Sequence, residues 1–258
     1  MNKNLIKLIV CMVVLSLLIP ATCMGEEIVL KLGTQAQASS DWIGYLDRVN
    51  TRLGELSGGT MRIEIALGGQ LGSNAEHWAQ MNAGTLDLFA QGCDAPSVAP
   101  GGKDFDIVNL PFLFDDVDHW HRFLKSDIFA EMNAKFSEKT DVVYVGHLAD
   151  IAPRALTTGK VPVYKVSDIK GLVIRVPGSA LQTQVWADFG ANPTQSSVAE
   201  LMEGLQTGRY DGQDNGLGVI NEGFFDYQKY YMELDHTYQG VSVYASGKTW
   251  NKLSAEQQ

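Results

Sequence analysis

Arg175 is the residue with the sharpest chemical consequence in this chain. It stands within Leu172-Val-Ile-Arg-Val176, an apolar, β-branched run bounded by Gly171 and Pro177, which reads as a buried strand. A permanent cation there is costly unless an anion meets it. The planar fork of a guanidinium suits a carboxylate in bidentate geometry. That carboxylate comes either from an Asp or Glu of the fold, as an internal pair, or from a ligand.

The other reactive side chains form no catalytic pattern. There is no G-x-S-x-G elbow, no H-E-x-x-H and no phosphate-binding loop. His119 and His121 flank Trp120, but positions i and i+2 of a helix face different ways, so they are not read as a metal pair. Asp115, Asp116 and Asp118 lack the glycine and distal glutamate of a calcium loop and read as the acidic start of a helix. Cys93 is the one cysteine after the first 25 residues, so no internal disulfide is expected and a packed, inert thiol is the better reading. Enzymatic signals are therefore absent, and no metal site and no cofactor is expected.

These residues need elements to position them. Ile28–Leu32 reads as a strand running into the polar loop Gly33-Thr34-Gln35. Trp42, Tyr45, Leu46, Val49, Leu53 and Leu56 recur at helical spacing until Ser57-Gly58-Gly59. Met61–Leu67 alternates as a strand does, Gly68–Gly72 turns into a helix through Trp78 and Met81, and Thr85–Ala90 is a third strand. Residues 91–103 read as loop, and helices follow through Trp120 and Phe123 and through Phe129, Met132 and Phe136, whose aromatics are core. Asp141–Gly146 begins the crossing to a second unit, which holds Arg154, the Arg175 strand, a helix through Trp186 and Phe189, extended Asn192-Pro193-Thr194 and a helix from Glu200 to Leu205. Asp211–Gly216 is polar and turn-rich. Strands alternating with helices point to mostly parallel sheets.

The 258 residues suffice for two lobes, and 45% hydrophobic with 19% charged is ordinary for a globular protein. A net charge of −10 argues against nucleic acid as a partner, and no polybasic cluster addresses a membrane surface. Residues 1–25 read as an export signal: Lys3 and Lys7, then the apolar run Leu8–Ile19, then small residues before Glu26. Ala21-Thr22-Cys23 is a poor lipoprotein site, so a lipid anchor at Cys23 is not the expected outcome.

Six short segments carry a family resemblance by their order and spacing. They are Gly69-Gln70-Leu71-Gly72, Gly84-Thr85-Leu86-Asp87, Leu110-Pro111-Phe112-Leu113-Phe114, Gly171–Pro177, Gly190-Ala-Asn-Pro193 and Asp211–Asn215. Together they resemble the solute-binding proteins of tripartite ATP-independent periplasmic (TRAP) transporters, the dicarboxylate-binding family, over nearly the whole chain after the signal. The resemblance implies a two-lobed α/β protein of the periplasmic binding type, each lobe a mostly parallel sheet flanked by helices, with the ligand cleft between lobes. It implies lobe 1 at residues 26–150, completed by about 241–250, and lobe 2 at 151–240. It places a ligand-gripping arginine at Arg175, a second at Arg154, an assisting asparagine at Asn215, and first-lobe contacts at Gln35 and the Gln91–Gly92 loop. It further implies a periplasmic, monomeric carrier of a small organic carboxylate that delivers to membrane permease subunits; a periplasmic sensor feeding a receptor is the alternative.

The sequence departs from that pattern in three places. Leu201-Met202-Glu203 follows Glu200 where many members carry a tyrosine, and Val198 stands where sugar-acid binders often have phenylalanine, which disfavours sialic acid. The chain stops at Leu253–Gln258, where the family begins a further helical region, so part of lobe 2 is expected beyond it.

Overall fold

The structure is a computed structural model that describes residues 27–220 and 223–258. The expected signal segment, with Cys23, lies outside the described residues. In chain order the first unit comprises β1 (Ile28–Gly33), α1 (Ile43–Leu56), β2 (Met61–Ala66), α2 (Asn74–Ala83), β3 (Leu88–Gly92), α3 (Val117–Leu124), α4 (Asp127–Thr140) and β4 (Val142–Ile151). The second holds β5 (Arg154–Thr158), β6 (Val173–Val176), α5 (Ala180–Asp188), β7 (Asn192–Gln195), α6 (Val198–Gln206), β8 (Gly212–Gly216), α7 (Leu217–Ile220) and β9 (Tyr230–Met232). The chain then returns as β10 (Gln239–Ser246) and ends near α8 (Gly247–Trp250).

Two five-stranded sheets result, ordered β2-β1-β3-β10-β4 and β7-β6-β8-β5-β9. In the first, β1 runs parallel to β2 and β3 while β10 is antiparallel to β3 and β4. In the second, β6 is parallel to β7 and β8 while β5 is antiparallel to β8 and β9. The α/β, two-lobed architecture is the expected one, but the sheets are mixed rather than mostly parallel. The reason is topological: each sheet receives a strand from a chain crossing between the units, and such a strand enters against the direction of its neighbours. The two crossings are short, Ile151 to Arg154 and Met232 to Gln239.

Apolar alternation explains which faces are covered. Leu30, Leu32, Met61 and Ile63 pack with Leu46 of α1 on one face of the first sheet. On the other, the Trp78 indole meets Phe89, Phe136 and Tyr244 edge-on at 4.8, 5.2 and 5.2 Å; Phe114, Trp120, Phe129 and Phe136 are core as expected, whereas Phe112 is exposed. In the second sheet Leu156, Ile174 and Val176 pack against Trp186 of α5, and α6 adds Leu201 and Leu205 to a cluster with Tyr210 and Phe224. In the Leu201-Met202-Glu203 segment that departs from the family pattern, Leu201 belongs to this cluster and Met202 packs against it.

Local chemistry sets the helix ends. Ser73–Glu76 and Ser197–Glu200 form reciprocal capping boxes at the starts of α2 and α6. Gly84 closes α2 at φ 75°, a left-handed conformation that glycine adopts without strain. Asp116 caps α3 by accepting from the His119 amide at 2.7 Å, as expected of the acidic helix start.

Two segments differ from the sequence expectation. β3 starts three residues later than expected, because Thr85 and Leu86 bond back to the Gln80 carbonyl and prolong the helix end; Gln91 and Gly92 are therefore strand, not loop. The polar run Asp211–Gly216 is not a turn: Gly212–Gly216 is a strand buried along its whole length, between β6 and β5.

Candidate functional site

A cleft of about 330 Å³ opens where elements of the two sheets meet. Gln35 and Gln91, at the ends of β1 and β3, line it from the first unit with Asp94. Arg175, Pro177 and Gln195–Val198 line it from the second. The N-termini of three helices also reach it, through Ser73 and Asn74 of α2, Ser179 of α5 and Ser197 of α6. Each such end carries roughly half a positive charge, so the cleft is locally cationic within an acidic chain.

Arg175 sits in the middle of β6, aligned with Thr194 of β7 and Gln213 of β8. Its side chain is 2% exposed. The guanidinium donates from Nε to the Ser196 carbonyl at 3.0 Å and from Nη2 to the same oxygen, and no described carboxylate pairs with it. Burial pulls its pKa down to about 10, Arg154 adds repulsion, and Asp214 offsets part of both. Of the two sources foreseen for its anion, the internal one is not used.

The internal pair belongs to Arg154 instead. Arg154 donates from Nε to Asp214 Oδ1 at 2.8 Å, from Nη2 to the Asp214 carbonyl, and from Nη1 to Gln239 Oε1 at 3.1 Å. The Trp186 indole donates to the other Asp214 oxygen at 2.8 Å. Burial alone would raise the Asp214 carboxyl, but Arg154, His236 and Trp186 outweigh it and hold it well below the usual carboxylate range. Arg154 does not line the cleft; its charge is consumed one layer behind it.

Cross-strand partners share a face, so Thr194, Arg175, Gln213 and Thr157 form a polar row across the second sheet. Asn215, two residues on along β8, donates to Gln213 Oε1 at 3.2 Å. Gln213 Nε2 and Thr157 Oγ1 are buried without a partner among the described residues. Asn215 therefore positions Gln213 and does not itself line the cleft. Of the expected first-lobe residues, Gln35 and Gln91 line the cleft, and Gly92 lines an adjoining cavity of about 60 Å³ that shares both glutamines. Gln91 Oε1 accepts from the Thr34 hydroxyl at 3.3 Å, and Gln35 Nε2 donates to the Gly72 carbonyl.

Sequence reasoning missed Asp94, Ser73 and Gln195. Burial raises the Asp94 carboxyl while Arg154 and Asn109 oppose the rise. That direction weakens the repulsion Asp94 would exert on an anionic guest. No local pattern marked it, because its place in the cleft depends on a sheet end and two non-local helices. Cys93 is fully buried, and burial pushes its thiol up to about 12, as an inert cysteine requires.

A buried arginine with no described carboxylate partner thus lines a cleft between two α/β units, the architecture of a two-lobed binding protein. Residues 32–258 match the bacterial extracellular solute-binding proteins, family 7 (DctP), and the chain belongs to that family. It is 27% identical over 239 residues to a solute-binding protein of Roseobacter denitrificans, covering 92% of this chain and 72% of that one. It is 29% identical to the sialic acid-binding periplasmic protein SiaP of Vibrio cholerae, covering 98% of this chain and 77% of the other. The solved structure of a TRAP periplasmic solute-binding protein from Pseudomonas putida F1 with bound D-glucuronate superposes with a TM-score of 0.81 at 28% identity, covering 90% and 75%. The chain thus spans about three quarters of the length of these relatives. All three are binding proteins, and the Pseudomonas one is a TRAP periplasmic solute-binding protein.

Proposed function

We propose that this chain is the extracytoplasmic carrier of a TRAP transporter and that Arg175 grips the carboxylate of a small organic acid. One observation carries the assignment: a guanidinium 2% exposed, lining the cleft, whose hydrogen-bond partner among the described residues is a backbone carbonyl alone. An incoming carboxylate completes its hydrogen bonds in a water-poor site, where charge-assisted bonds are strongest. Arg154 and Asn215 act behind it, Arg154 by fixing Asp214 and Asn215 by aiming Gln213. Gln35, Gln91 and Gly92 supply the first-lobe wall.

The remaining lining is rich in amides and hydroxyls, from Ser73, Asn74, Gln91 and Gln195, which suits a ligand bearing several hydroxyls. A sugar acid of the size of D-glucuronate, the ligand of the Pseudomonas relative, is therefore favoured over an apolar acid. Val198 lines the cleft where a larger aromatic would narrow it, consistent with a ligand other than sialic acid. Residues 26–150 and 241–250 form one lobe and 151–240 the other, with the short crossings as hinge. Closure on the ligand is the signal that a membrane permease reads. Residues 1–25 direct export to the periplasm.

Calorimetric titration with D-glucuronate, other sugar acids and C4-dicarboxylates tests the reading, run in parallel on Arg175→Met. A bound acid at a hundredfold its Kd raises the unfolding free energy by about 2.7 kcal/mol. In the variant binding is lost, while the ligand-free protein melts at the same temperature or higher, since a buried cation without an anion is a burden. Undiminished binding by Arg175→Met overturns the assignment.

A further inference from the structure

A second constellation lies outside the cleft. His121 projects from α3, and His147 and Asp150 from the end of β4. His121 Nε2 lies 2.7 Å from Asp150 Oδ2, and His147 Nε2 lies 2.9 Å from Asp150 Oδ1. Two imidazoles thus turn the same nitrogen toward opposite oxygens of one carboxylate, and one ligand atom from each residue lies within 4.8 Å of the others. None of the three lines the cleft.

Hydrogen bonding alone would account for one imidazole on that carboxylate; the second makes a convergent set of two nitrogens and an oxygen. A tetrahedral ion with bonds of about 2.0–2.1 Å holds its donors roughly 3.4 Å apart, so the set closes when separations of up to 4.8 Å shrink by at most about 1.4 Å and the two nitrogen–oxygen contacts lengthen by roughly half an ångström. The supporting contacts are those a metal ligand needs. The buried Trp120 indole donates to Asp150 Oδ1 at 3.2 Å, fixing the carboxylate from the protein side. His147 Nδ1 stands 4.0 Å from the Cys93 sulfur, which leaves Nε2 as its ligating atom. The His121 and Asp150 side chains are each 39% exposed, so solvent reaches the point of convergence and can fill the remaining coordination positions. With neutral imidazoles the cluster carries one negative charge in a chain of net charge −10, which favours a dication.

We propose that His121, His147 and Asp150 bind a borderline divalent transition-metal ion of the Zn2+ class. Two imidazoles and one carboxylate suit Zn2+, Ni2+ or Cu2+ and not the oxygen-seeking Ca2+ or Mg2+. The ion joins α3 to the end of β4, one residue before the crossing to the second sheet, and so braces the hinge-side end of the first lobe.

The test uses the chelator-treated chain, titrated with Zn2+ and measured for bound metal after equilibrium dialysis. One Zn2+ per chain is expected. His121→Gln, on a half-exposed position, weakens it at least tenfold with an unchanged circular dichroism spectrum, and Asp150→Asn does likewise. His119→Gln is the control, because His119 turns instead to Asp115 at 3.3 Å. Co2+ in place of Zn2+ gives a nitrogen–oxygen ligand-field spectrum without a thiolate charge-transfer band. Absence of stoichiometric Zn2+, equal affinity in His121→Gln and Asp150→Asn, loss in His119→Gln, or a thiolate band each overturns the proposal.

Discussion

Two arginines on the strands that flank β8 in one sheet meet opposite fates, and the difference is a single carboxylate. Asp214 belongs to Arg154, with Trp186 and His236 completing its shell, and no described carboxylate pairs with Arg175. The pair has a definite pH signature. Because the folded-state pKa of Asp214 is depressed, its stabilisation is fully present above the unfolded carboxylate value near 4 and is lost as pH falls toward the folded value. Asp214→Asn strands Arg154 without its anion and is expected to cost about 3–5 kcal/mol at pH 7. Below about pH 4 the wild type loses the same interaction by about 1.4 kcal/mol per unit, so the two proteins converge. Urea unfolding at pH 7, 4 and 3 checks this; a gap that stays constant across the range would remove the ion pair from the account.

Among elements, those with local signals were legible and those defined by distant partners were not. The β6 strand, the helix over Trp186 and the start of α3 follow from apolar runs, helical spacing and an acidic cap within a few residues of one another. Strand β8 was hidden by its own composition: Gly, Gln, Asp and Asn read as turn, yet this strand lies between two arginine-bearing strands and its Asp214 pairs with Arg154. Arg154 and Asp214 are 60 residues apart, and His121 and Asp150 are 29 apart, so no window along the chain contains either pair. The same non-local logic joins the lobes. Asp106 accepts from the Ser179 hydroxyl at 2.6 Å and from the Leu181 amide at 3.3 Å, capping α5 from the opposite unit. Asn109 extends the bridge to Gln182 and Gln239. Asp106 does not itself line the cleft, so Asp106→Asn acts through the bridge between the units and through the Ser179 it holds. Loss of a charge-assisted bond worth about 1.5–3 kcal/mol should speed ligand release roughly ten- to hundredfold with little change in association. Stopped-flow dissociation measures it; an unchanged off-rate would mean the bridge does not hold the closed state.

At the scale of the whole molecule, an acidic chain must admit an anion, and two electrostatic ranges compete. The net charge of −10 acts over tens of ångströms, whereas Arg175 and the three helix ends act inside the cleft. A spread charge of this size at about 20 Å repels a monovalent anion by about 1 kcal/mol at 0.01 M salt and by about 0.2 kcal/mol at 0.15 M. Inside the closed cleft ions scarcely enter, so the Arg175 contact is screened far less. Raising salt across that range should therefore quicken association severalfold and leave dissociation nearly unchanged, giving a tighter complex at physiological ionic strength. That is the reverse of the behaviour of a surface-exposed cationic site. Association rates of D-glucuronate at the two salt levels decide the matter: a slower rate at higher salt would show that the cationic mouth of the cleft, and not the acidic envelope, governs capture.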